Sequence, residues 1–116
     1  MHKFDLEKRT LIFTKNVINL CKKLPKNSMN HRLVGQVVGS AGSIGANYRE
    51  ANDCLGGKDF VLRLKIARKE AKETTYWLEL LREANDGIHS DIEKLIKESI
   101  ELTNILSTII KKFNSG

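Results

Sequence analysis

Proline occurs once in this 116-residue chain, cysteine twice, and Phe, Trp and Tyr together supply 6% of it. A disulfide-stapled secreted fold needs more than Cys21 and Cys54, so both are expected as reduced thiols in a cytosol-like compartment. Cys21, inside an apolar-patterned stretch, is expected to be a buried and inert thiol. Long apolar runs are also missing. The longest uncharged run, Leu33 to Tyr48, has 16 residues and is rich in Gly and Ser, too short and too polar to span a bilayer. Asp5, Glu7, Lys8 and Arg9 interrupt any leader-like apolar segment at the start. A cytoplasmic location with no membrane partner is therefore expected. The chain contains no CxxC, HExxH or paired ExxH spacing, so no metal and no cofactor is expected.

What is present is a globular composition: 41% hydrophobic and 29% charged residues, with 20 Lys+Arg against 14 Asp+Glu and a net charge of +6. One domain of this length can bury a core without staples. Leu6, Thr10, Phe13, Val17, Leu20 and Leu24 alternate steps of four and three, the helical period. Asp5 is a candidate N-cap for this first helix, and Pro25 stops it. Ser28 or Asn30 is the expected cap of the next. Phe60, Leu64, Ala67, Ala71, Thr74, Leu78 and Leu81 repeat the pattern between Gly56-Gly57 and Asp86-Gly87, where glycine can end a helix in the left-handed conformation. Ser90-Asp91-Ile92-Glu93 reads as a capping box. It opens a helix with the apolar line Ile92, Leu95, Ser99, Leu102, Leu106, Ile109 and Phe113. A second line, Ile96, Ile100, Thr103 and Ile110, widens that face enough to suggest burial against another subunit.

The segment from Leu33 to Gly45 is ambiguous. Leu33 to Gly39 could be a strand and the following glycines a phosphate loop, but neither the Walker A ending nor the G-x-G-x-x-G spacing is present. No second strand exists to build a sheet. A helix with Leu33, Val37, Ile44, Tyr48, Ala51 and Leu55 inward is the better reading. Its glycines each cost about 0.8–1 kcal/mol relative to alanine, so a neighbouring helix is expected to approach closely across Gly35, Gly39, Gly42 and Ala46. The expected fold is all-α, one antiparallel up-and-down four-helix bundle over residues 1–116, with helices at about 5–24, 30–54, 58–86 and 90–113.

Catalytic chemistry finds little support. His2 sits near the start, His31 at a helix start and His89 in a loop; His89-Ser90-Asp91 holds triad residue types, but neighbours in sequence point apart. One polar cluster stands out: Ile66, Glu70, Glu73, Trp77 and Leu80 lie beside the core line of the third helix. Asn47, Arg49 and Glu50 are its expected partners across the bundle, with Arg49 pairing a carboxylate in bidentate fashion. Charge is also unevenly placed. Residues 1–72 carry 15 basic and 6 acidic side chains, whereas residues 73–116 carry 5 and 8. Lys8, Lys15 and Lys22 recur every seven residues as one stripe, and Lys58, Lys65, Arg68, Lys69 and Lys72 form another. Such stripes suit a phosphate backbone, with no motif that would read bases.

The run Ser43-Ile44-Gly45-Ala46-Asn47-Tyr48-Arg49-Glu50-Ala51 resembles the four-helix bundle family named after proteins encoded in 23S rRNA intervening sequences. The likeness continues through Lys58-Asp59-Phe60, Leu64 to Ala67, Lys69 to Thr74 and Tyr76 to Leu81. The first and last helices resemble the family in pattern and length only. The resemblance implies a left-handed up-and-down bundle assembled into a homopentameric ring. It also relates the chain to the accessory proteins of diversity-generating retroelements, basic barrels that bind RNA and a reverse transcriptase; at +6 this chain is less basic than such a protein should be. The family offers no catalytic residue to transfer. Asn47, Arg49, Glu50, Glu70, Glu73 and Trp77 match its motif positions, which implies a structural or interface network there. The expected function is thus a non-enzymatic homo-oligomer that presents Lys8, Lys15, Lys22, Lys65, Arg68, Lys69 and Lys72 to RNA or DNA. A scaffold that docks a protein partner without nucleic acid is the alternative.

Overall fold

Four helices account for nearly all of the chain: α1 (Lys3–Lys22), α2 (Ser28–Asp53), α3 (Gly57–Ala84) and α4 (His89–Ser115). The computed structural model describes residues 3–115, and side chains from Asp5 onward; His2 lies outside the described residues. Helices adjacent in sequence pack side by side, and α1 closes the bundle against α4, most lightly of the four pairs. Among the described residues the backbones of the diagonal pairs α1–α3 and α2–α4 do not approach one another closely, which is the square layout of an up-and-down bundle. The bundle measures 46 × 21 × 20 Å, about the length of α3's 28 residues at 1.5 Å each.

The core follows the four-three lines. Leu6, Thr10, Phe13, Val17, Leu20 and Leu24 are all buried, as are Leu64, Ala67, Ala71, Thr74, Leu78 and Leu81, with Phe60 half-buried. Buried hydroxyls are satisfied inside the bundle. Thr74 donates to Ser40 at 2.8 Å across α2–α3, and Thr75 and Ser99 share a 2.6 Å bond across α3–α4. Asn30 and Asn85 exchange amide hydrogen bonds at 2.8 and 2.9 Å. That pair ties the first turn of α2 to the end of α3, and Asn30 also donates to the Pro25 carbonyl in the preceding loop.

Several local expectations are corrected. The first helix begins two residues ahead of Asp5, which sits in its first turn rather than at its cap. Asn27, not Ser28 or Asn30, caps α2: its side chain accepts from the Asn30 amide at 2.8 Å. No capping box forms at Ser90, because α4 begins at His89 and the Ile92 amide already bonds to the Ile88 carbonyl, which puts Ser90 inside the first turn; Glu93 pairs with Arg82. Leu55 was expected inward, but it lies in the short α2–α3 turn and is fully exposed. Gly87, at φ +84°, supplies the left-handed residue of the α3–α4 turn.

The segment from Leu33 to Gly45 is helical throughout. Yet a Cβ on Gly35, Gly39 or Gly42 would meet nothing within 4 Å, so no helix of the same chain crosses there. Close approach occurs at Gly45, where a Cβ would fall 2.9 Å from Thr10 Oγ1. The apolar width of α4 is largely absorbed by the bundle itself. Ile96 and Ile110 are buried, leaving Ile100 and Phe113 about half exposed.

Candidate nucleic-acid interface

Helical periodicity places both lysine stripes on outward faces. Lys8, Lys15 and Lys22 are exposed along α1 opposite its core line, and among the described residues none forms an ion pair. On α3, Lys65, Lys69 and Lys72 are exposed, and Arg68 is half-buried. Of these four, among the described residues, Lys69 alone lies within ion-pair distance of a carboxylate, that of Glu73, at 4.0 Å across one helical turn. The fold does not merge the two stripes. They ride on diagonal helices, so one protomer holds them on opposite sides of a body about 20 Å thick. A single strand of nucleic acid lying on one face meets one stripe, not both.

The expected polar network is also dispersed. Asn30–Asn85, Ser40–Thr74 and Asn47–Arg63 set the antiparallel register of α2 and α3. Glu70 is therefore level with about Ser43, whereas Arg49 lies about six residues, or ~9 Å, further along α2. Arg49 moreover faces α1. It is half exposed and its nearest carboxylate is Glu7, at 3.9 Å, so the bidentate Arg49 pairing does not form. Asn47 accepts from Arg63 at 3.2 Å and donates to the Ser43 carbonyl. Glu50 is exposed, and Trp77 is half-buried with its ring edge-on to Tyr76 at 5.1 Å. Glu70 is half-buried and forms no ion pair among the described residues. Burial, and then the charge of Glu73, push its carboxyl above the usual range, with Lys69 opposing.

The ion cluster that does form is elsewhere. Arg9 on α1 donates two 2.7 Å hydrogen bonds to Glu98 and one of 3.0 Å to Glu101, both on α4. The Arg9 bonds hold the Glu98 carboxyl below its ordinary value against the opposing effect of burial. Sequence gave no signal for this clamp, because its partners are some 90 residues apart and obey no helical spacing rule. Cys21 is half-buried and burial pushes its thiol up to about 11, in keeping with an inert group. Among the described residues, no three His, Cys, Asp or Glu side chains gather as a metal-ligating group, and no helix is long and apolar enough to cross a membrane.

Sequence reasoning also missed a groove of about 840 Å³ between the end of α1 and the start of α2. Ile18, Cys21, Val34 and Val38 line it, with Lys22, Lys26 and Arg32 among its polar residues and no carboxylate. Ile18 was legible as an apolar residue off the core line of α1, but nothing local showed that Val34 and Val38 would face it.

Fold and surface together define an antiparallel four-helix bundle, with no strand among the described residues, whose α1 and α3 helices carry exposed cations. The chain belongs to the 23S rRNA-intervening sequence protein family, whose model matches residues 2–108. It is similar to the crystal structure of a protein of unknown function from the S23 ribosomal protein family of Bacteroides thetaiotaomicron. The two share 36% identity over 96% of this chain and 99% of that one, with a TM-score of 0.86. None of the curated proteins matches the chain.

Proposed function

We propose that this protein is a cytoplasmic, non-enzymatic homo-oligomer that binds structured RNA through its outward lysines. The observation that carries the reading is the α1 stripe. Lys8, Lys15 and Lys22 stand exposed on α1 and unpaired among the described residues, within a stretch, Lys8 to Tyr48, that contains no carboxylate at all. Unpaired cations at fixed spacing release phosphate counterions on binding without first breaking an ion pair. The α3 stripe, Lys65, Arg68, Lys69 and Lys72, lies on the far side of the same protomer. A ring of copies, five by the family resemblance, repeats both stripes and converts weak contacts into avidity.

The test is filter binding of a structured RNA at rising salt, with wild type, a Lys8→Glu/Lys15→Glu variant and a charge-matched control protein. The variant should lose affinity by at least about tenfold, and its log–log salt slope should flatten by about two phosphate contacts. Wild-type affinity equal to that of the control overturns the RNA reading. The apolar floor of the α1–α2 groove favours a second reading, docking of protein at that face. A partner recovered in stoichiometric amount after nuclease treatment, with no RNA affinity, supports that reading instead.

A further inference from the structure

The α1–α2 groove and the outer face of α3 match one another in shape, charge and height along the bundle. The groove has an apolar floor of Ile18, Val34 and Val38, and a rim formed by Lys22, Lys26 and Arg32. From Thr10 to Tyr48 the chain has five cations and no Asp or Glu. At the same end of the bundle the charge is reversed. Residues 73–93 hold six carboxylates and one cation, Arg82. The outer face of this part of α3 is a ridge. Tyr76, 57% exposed, and half-buried Leu80 lie one turn apart, flanked by exposed Glu79 and Glu83.

The register of α2 and α3 fixes the heights. Ser40 opposite Thr74 and Asn30 opposite Asn85 place Tyr76 level with about Val38, Leu80 with about Val34 and Glu83 with about Arg32. Groove and ridge therefore sit at one height on different sides of α2, with α3 diagonal to α1 in the bundle. A protomer cannot fill its own groove.

We infer that the occupant of the α1–α2 groove is the Tyr76–Leu80 ridge of a second copy of this chain. Tyr76 and Leu80 cover the apolar floor, while Glu79 and Glu83 meet Lys26 and Arg32. The interface is heterologous, groove to ridge. Copies lie parallel and are related by rotation with no shift along the bundle axis, the condition for closing a ring rather than growing a filament. A two-fold pairing of groove on groove is disfavoured because it opposes Lys22, Lys26 and Arg32 to themselves. This inference rests on the homo-oligomer of the preceding section and specifies its contact. It places Lys22 at the groove's lip, leaving Lys8 and Lys15 as the free members of that stripe.

Lys26, Arg32, Glu79 and Glu83 are exposed and form no ion pair among the described residues, so reversing them leaves the fold intact. Light scattering on a sizing column should show wild type as a multimer. Lys26→Glu/Arg32→Glu, and separately Glu79→Lys/Glu83→Lys, should each run at the one-chain mass of 13.1 kDa with wild-type helicity. The fourfold variant, with both faces reversed, should regain the wild-type mass. A monomeric wild type, a reversed face that still assembles, or a fourfold variant that stays monomeric overturns the inference. A multimer indifferent to these reversals refutes this interface while leaving the homo-oligomer standing. Assembly that obeys the charge swap without RNA affinity upholds the interface and refutes only the RNA reading.

Discussion

Replacing Arg9 by methionine keeps most of the apolar stem and removes the guanidinium that joins α1 to α4. Three charge-assisted bonds are lost: two at 2.7 Å to Glu98 and one at 3.0 Å to Glu101. Hydrogen bonds to charged groups contribute about 1.5–3 kcal/mol when desolvated. Here the Arg9 and Glu98 side chains are 31% and 26% exposed and Glu101 is 60% exposed, so solvent screens the pair and the Glu101 bond counts for little. The expected loss is about 1–2 kcal/mol, or ~4–8 °C in melting temperature for a chain of this size. Urea melts of Arg9→Met, Glu98→Gln and the double variant should give a coupling energy of about 1 kcal/mol. The sign of the pH dependence follows from the lowered Glu98 carboxyl. Its stabilising effect is complete above the unfolded carboxylate value near 4.3 and is lost as pH falls through the lower folded value. The gap between wild type and Arg9→Met should therefore narrow as pH falls below the unfolded carboxylate value near 4.3. Arg49→Ala, whose nearest carboxylate is 3.9 Å away, should cost under about 0.5 kcal/mol. A coupling near zero, or a gap unchanged down to pH 3, refutes the reasoning.

Other outcomes follow from single contacts. Asn30→Ala leaves the buried Asn85 amide without its partner and should cost about 2–3 kcal/mol in urea melts; Asn30→Leu/Asn85→Leu, which removes both amides, should cost less than the single change. Cys21 has a thiol pushed up to about 11 by burial. In a Cys54→Ser background it should react with a disulfide reagent at pH 8 roughly 100-fold more slowly than in the denatured chain, from the scarcity of thiolate. Gly45→Ala should lower the melting temperature, because the new Cβ meets buried Thr10 at 2.9 Å. Gly39→Ala, which opens onto free space, should raise stability by up to about 1 kcal/mol through helix propensity.

The four-three lines of α1 and α3 were legible because each helix buries one narrow stripe, and periodicity alone records which residues that stripe holds. Helix ends were less legible. Asn27, Ser28 and Asn30 are all competent caps, and the choice was made by Asn30, which is committed to Asn85 across the bundle. The glycines of α2 show the same limit: one sequence pattern held both Gly45, pressed against Thr10, and Gly39, facing outward. The lysine stripes could be read as stripes, but their separation onto diagonal helices depends on packing order. The partner of Arg49 is not legible in sequence because it depends on inter-helix register, which Asn30–Asn85 and Ser40–Thr74 set from a distance. Arg9 with Glu98 and Glu101, and the α1–α2 groove, exist only once α1 has two specific neighbours.

The most direct test of the account is light scattering on a sizing column with absorbance read at 260 and 280 nm, on protein purified without nuclease. A multimer of the 13.1 kDa chain with an absorbance ratio raised by co-purifying nucleic acid is the predicted result. A clean monomer with a protein-like ratio contradicts it.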